Sequence, residues 1–122
     1  MPGNPMFGRR IRELREAKKL VDPRFSLRKF AEAVGISATF LSKVETGEFA
    51  PPGPEKIKKM AGLLGVDADE LLALANKVAP DLSDIIKGQP KAVADFLRTA
   101  RDMNLSDDEL RKLTERLRKR KD

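Results

Sequence analysis

Ser26-Leu-Arg-Lys-Phe-Ala-Glu-Ala-Val-Gly-Ile-Ser-Ala-Thr-Phe-Leu-Ser-Lys-Val-Glu-Thr-Gly47 carries two helix signatures separated by three residues. Ser26 is an N-cap, and Phe25 before it can staple onto Phe30, which predicts a helix over Leu27 to Val34. Gly35 ends that helix, as a residue tolerant of positive φ does. Ser37 opens the next helix, predicted over Ala38 to Thr46, with Ile36 stapled onto Leu41 and Gly47 as the stop. Gly35, Ile36 and Ser37 alone join the two, so the short helices must cross steeply. Ala31, four residues before Gly35, leaves room for a close approach. Leu41 and Val44 then face inward, and Ala38, Thr39, Ser42 and Lys43 face outward.

The flanks also read as helix, with no alternating strand pattern. A first helix is expected over Phe7 to Lys19, with Phe7, Ile11, Leu14 and Ala17 on one face. Pro23 disfavours helix at Asp22, so Val21 to Phe25 is expected as a loop. Pro54 opens a fourth helix carrying Ile57, Met60, Ala61 and Leu64. Asp67 and Glu70 form a capping box for a fifth, with Val66 stapled to Leu71. Ala79-Pro80 marks a boundary. Beyond it, Leu82, Ile85 and Ile86 form a short apolar turn. Pro90 opens a helix with Val93, Phe96, Leu97 and Ala100 on one stripe. Ser106 and Glu109 cap a last helix carrying Leu110, Leu113 and Leu117, which dissolves into the basic run Arg116 to Lys121. The expected fold class is all-α: a five-helix domain over residues 1–78, then a short helical hairpin within residues 79–122.

Composition narrows the function. The 122 residues are 36% charged and 40% hydrophobic, with neither Cys nor His. Thiolate nucleophiles, zinc fingers and His-dependent triads are excluded; an enzyme is not expected, nor a cofactor or metal. Met1-Pro-Gly-Asn-Pro5 has no apolar stretch of signal-peptide type, so a cytoplasmic, nucleoid-associated protein is expected. Residues 1–66 hold 13 Lys+Arg against 7 Asp+Glu, whereas residues 67–122 hold 12 of each, so the whole excess of +6 lies in the first part. One part suits a polyanion and the other suits protein.

Two short helices joined this tightly have helix-turn-helix geometry. The small and polar outward face of the second would fit a major groove. From about Phe7 to Ala75 the chain resembles the phage repressor and Cro family of regulators. The Phe-Ala-x-x-x-Gly, Ser-x-x-x-Leu-Ser and Glu-x-Gly pieces fall at that family's spacings. The resemblance implies that Ala38, Thr39 and Lys43 face bases, with Ser42 beside them. It implies phosphate contacts at Ser26, Leu27 and Thr46, with Arg28 and Lys29 placed to help, and Ser37 is a further candidate phosphate contact. It also implies a structural bridge between Arg15 and Glu45. The segment Val21 to Arg24 is longer than is usual in the family, and Arg24 could touch a phosphate or simply pack.

Some residues keep more than one reading. Lys43 could donate to guanine, bind a phosphate or remain solvated. Phe40 could touch DNA, but packing against the second helix of the pattern or against Phe49 is favoured. In the C-terminal segment, Val93, Phe96, Leu97, Leu110, Leu113 and Leu117 are the candidate dimerisation residues. The resulting expectation is a sequence-specific regulator, a repressor, binding double-stranded DNA as a homodimer on a palindromic operator. The alternative is an antitoxin or coactivator whose C-terminal helices grip a protein partner.

Overall fold

The computed structural model describes residues 3–120; Met1, Pro2, Lys121 and Asp122, the ends of the N-terminal and basic C-terminal stretches, lie outside them. The described residues form eight α-helices: α1 Pro5–Lys19, α2 Leu27–Val34, α3 Ala38–Glu45, α4 Pro54–Leu64, α5 Ala68–Leu74, α6 Pro80–Gly88, α7 Pro90–Asp102 and α8 Asp107–Arg120. The chain divides into two compact units, the first ending at Pro80 and the second beginning at Asp81.

In the first unit the local signals act as their chemistry dictates. The Ser26 and Ser37 hydroxyls accept from the N–H groups of Lys29 (3.2 Å) and Phe40 (3.0 Å). Gly35 takes φ +92 at the end of α2. The Phe25 and Phe30 rings stack with centroids 5.9 Å apart. Phe7, Ile11, Phe30, Leu41, Ile57, Met60 and Leu72 are among the largest fully buried side chains of a core that draws on all five helices of this unit.

Several elements differ from the sequence expectations. α1 starts at Pro5 rather than Phe7, because the Asn4 side chain caps it, accepting from the Phe7 N–H at 3.0 Å. Pro5 suits the first helical position, where no N–H is needed. Asn4 Nδ2 also donates to the Leu74 carbonyl at 2.8 Å, closing the start of α1 onto the end of α5. Ala17 is exposed, and the buried face of α1 runs instead through Phe7, Gly8, Ile11 and Arg15. The expected loop before α2 contains a 3-10 turn, Pro23–Phe25, capped by Asp22. α3 ends one residue early, leaving Thr46 as its C-cap. At α5 the Asp67 carboxylate accepts from the Glu70 N–H, which is one half of the expected box.

Two contacts between α1 and α3 matter most. Gly8 is buried where a Cβ would collide with the Val44 and Glu45 backbone carbonyls. Two turns later, Arg15 grips Glu45 through two bonds, Nε to Oε2 at 2.8 Å and Nη2 to Oε1 at 2.9 Å. Its Nη1 also donates to the Phe25 carbonyl at 3.1 Å, tying in the 3-10 turn. Hydrogen bonding to Glu45 outweighs desolvation and raises the Arg15 pKa above its ordinary value.

In the second unit, residues 82–86 belong to the full helix α6 rather than to a short turn, and α8 continues through Arg120 rather than dissolving from Arg116. Ser106 and Glu109 form both halves of the capping box at 3.1 and 3.0 Å. None of α6, α7 or α8 contains a buried residue.

Gly8→Ala should destabilise the first unit by about 1–3 kcal/mol, as overpacking does. Gly62→Ala, in an open stretch of α4, should stabilise by about 0.5–1 kcal/mol; urea unfolding followed by circular dichroism reads both signs. Glu45→Ala should cost about 3–5 kcal/mol by stranding a buried guanidinium, whereas Arg15→Met with Glu45→Leu should recover most of that loss. A double variant no more stable than Glu45→Ala would count against this account of the pair.

Candidate nucleic-acid interface

The outward face of α3 is a shallow depression of about 300 Å³, lined by Ala38, Thr39, Ser42, Lys43, Leu27 and Glu48. The four residues expected to face bases therefore share one surface. Thr39 is exposed, Ala38 and Ser42 are half-buried, and no bulky side chain rises from the N-terminal end of the helix. Phe40 packs away from the depression against Phe49, with ring centroids 6.0 Å apart.

The N-terminal turn of α2 supplies the next group. Leu27 packs partly against the core, while Arg28 and Lys29 are exposed in a first turn free of acids. A helix N-terminus with cations beside it favours anions. Ser26 and Ser37 use their oxygens to cap α2 and α3, and a hydroxyl that accepts can still donate its proton to a phosphate.

Three expected contact residues are already engaged. Arg24 lies on the Asp22 carboxylate, with Nη2 to Oδ2 at 2.7 Å and Nε to Oδ1 at 3.1 Å. The Arg24 side chain and backbone N–H together hold Asp22 down at a pKa of about 2. At neutral pH the pair is closed, so Arg24 reaches a phosphate only by leaving Asp22. Lys43 Nζ lies 3.4 Å from Glu48 Oε1 and 5.6 Å from the Phe49 ring centroid. The Thr46 hydroxyl sits 3.2 Å from the Lys43 carbonyl and 3.0 Å from Glu48 Oε2. Sequence reasoning passed over Glu48 and the partner role of Asp22, whereas Phe49 was expected as a packing partner of Phe40 and is one. A short-range signal existed for Asp22, an Asx cap before a Pro. For Glu48 the signal was Gly47, whose φ of +83 turns the chain back on the helix end.

In the second unit, Val93 and Leu113 are half-buried, while Phe96 (58%), Leu97 (50%), Leu110 and Leu117 (59%) remain exposed. No helix among the described residues is long and apolar enough to cross a membrane.

Comparison with known proteins gives three likenesses. Over 72 residues, 59% of the chain, it is 39% identical to the HTH-type transcriptional regulator RghRB of Bacillus subtilis (strain 168), covering 48% of that protein. Over a stretch of the same length it is 33% identical to the HTH-type transcriptional repressor RghR of that organism, covering 50% of it. The chain thus spans about half the length of these relatives. The solved SinR protein/SinI protein complex contains a chain that aligns over 95% of this one and 98% of its own length, at 22% identity and a TM-score of 0.48. Residues 6–74, more than half of the chain, match the model of the helix-turn-helix domain, and the chain belongs to that family.

Proposed function

We propose that this chain is a sequence-specific transcription regulator, a repressor, that inserts α3 into the major groove of double-stranded DNA. The observation that carries the reading is the α3 depression, which gathers Ala38, Thr39, Ser42 and Lys43 beside the acid-free N-terminus of α2. A side of short side chains admits a helix to a groove about 12 Å wide. Thr39 and Ser42 offer hydroxyls to base edges, Lys43 suits guanine O6 and N7, and the Ala38 methyl suits a thymine methyl. Ser26, Leu27, Arg28, Lys29, Ser37 and Thr46 then lie towards the phosphates, which set register rather than sequence. Repression is the activity in the name of one relative, and it comes to this chain as part of the proposal. Residues 1–78 carry the DNA contacts in this reading, and residues 79–122 carry assembly.

A single recognition helix reads only a few base pairs, so specificity calls for two copies on half-sites about 34–36 Å apart. The exposed apolar stripes of α7 and α8 support a homodimer. Helices that bury nothing in their own unit gain most from covering those stripes with a second copy.

The test of DNA reading is selection of duplexes from a random pool followed by titration. A palindromic winner is expected, with affinity falling steeply as salt rises. Lys43→Ala should cost about 1–3 kcal/mol on that site and flatten preference at one base pair, whereas Arg28→Ala should weaken all duplexes alike and reduce the salt slope by about one. Equal losses on selected and random DNA for Lys43→Ala would move it to the phosphate group.

Assembly has its own test. Phe96→Ala with Leu117→Ala removes two exposed side chains, so the fold should survive while a dimer interface loses a few kcal/mol, about 2–5 for each large side chain that the dimer had buried. Light scattering should show a monomer with weakened operator binding. A double variant that stays dimeric at unchanged affinity would place the interface elsewhere.

A further inference from the structure

Glu48 is a carboxylate on a face whose partner is a polyanion. It lines the α3 depression and is exposed, so burial does not account for its position. What holds it is backbone. The N–H groups of Glu48 and Phe49 both donate to the Lys43 carbonyl, at 2.9 and 3.1 Å, as Gly47 reverses the chain at positive φ. From there the two carboxylate oxygens divide their work. One lies 3.4 Å from Lys43 Nζ, and the other is 3.0 Å from the Thr46 hydroxyl. The Phe49 ring, braced by Phe40, closes the far side of the Lys43 ammonium. The only cation of α3 is therefore bracketed by a carboxylate and an aromatic face, both fixed by the turn that ends the helix.

Resting on the DNA-binding reading above, we propose that Glu48 is a specificity-determining residue: it tethers Lys43 so that the ammonium does not serve as an indiscriminate phosphate contact. A lysine is a mobile point charge that any phosphate can attract. Tethered to Glu48, Lys43 stays over the depression, where only a base edge with acceptors can draw it from its partner. The same carboxylate repels backbone phosphates on every sequence. Glu48 thus lowers affinity for random duplex more than for the operator.

The experiment compares the wild-type chain, Glu48→Gln, Lys43→Met and the double variant on the selected duplex and on random duplex, across a series of salt concentrations. Thermal unfolding checks that all four fold alike. In Glu48→Gln, random-duplex affinity should rise about two- to fivefold, the span that an exposed ion pair represents. The salt slope should steepen by about one as Lys43 takes a phosphate, and the ratio of selected to random affinity should fall. In the Lys43→Met background the steeper slope should vanish, because the effect runs through the lysine. An unchanged slope and ratio in Glu48→Gln overturns the assignment of Glu48 alone. A rise of equal size with and without Lys43 overturns the tether and leaves plain repulsion. A wild-type chain without salt-dependent duplex binding overturns the DNA-binding reading and this inference together.

Discussion

The first unit depends on one buried ion pair. Arg15 and Glu45 are 3% and 8% exposed and share two hydrogen bonds. Taking two charges out of water is costly, and such a pair adds less to net stability than to the choice of one arrangement. Here the arrangement is the position of α3. Glu45 is its last helical residue, Arg15 stands near the end of α1, and the third donor of Arg15 holds the carbonyl just ahead of α2. One guanidinium thus sets both helices of the motif against α1. Its planar, fixed fork suits that task in a way that an ammonium does not. Gly8 sets the distance at the same interface, since a missing side chain lets the two backbones approach.

Most of the motif was legible because its signals are local. A capping serine, a stapled apolar pair and a helix-ending glycine each act within five residues, so Ser26, Phe25 with Phe30, Gly35 and Ser37 could be read without any knowledge of tertiary structure. What escaped was joint or distant. The cap at Asn4 is local and was readable from Asn4-Pro5, yet its second bond reaches Leu74 across 70 residues, a separation no pattern records. Ala17 has the spacing of the α1 stripe but is exposed, and Arg15 is buried in its place. Leu82, Ile85 and Ile86 have the i, i+3, i+4 spacing of a helix, but Pro80 and Gly88 leave room for only these three apolar residues, and the segment was read as a short turn.

The interface residues show a similar division. Which side chains share the outward face of α3 follows from 100° per residue, and the depression collects those four. Whether a cation is free is a different question, and spacing does not answer it. Arg24 is held by a carboxylate two residues away and Lys43 by one five residues away. A count of positive charges therefore overstates the unsatisfied charge of this surface. Arg28 and Lys29 are the better candidates for sequence-independent attraction, because the first turn of α2 contains no acid. Neutralised cations on a DNA-facing surface reduce the non-specific component that dominates binding to any duplex. What remains depends more on base edges.

The two units solve different physical problems. The first encloses a core of about fifteen residues and leaves no buried side-chain polar atom unpartnered among the described residues, so its stability is internal. The second has well-formed helix ends, including a complete capping box at α8, but no buried side chain. Caps and ion pairs along a helix contribute tenths of a kcal/mol to about one each, too little to offset the entropy of ordering about forty residues. A second copy covering the apolar stripes would be the further source of order. In the dimer reading, folding of the second unit and assembly become one equilibrium, so the helices would firm up as protein concentration rises. Operator occupancy would then depend on concentration more steeply than for a monomer, because ordering, pairing and the second half-site all draw on the same apolar stripes.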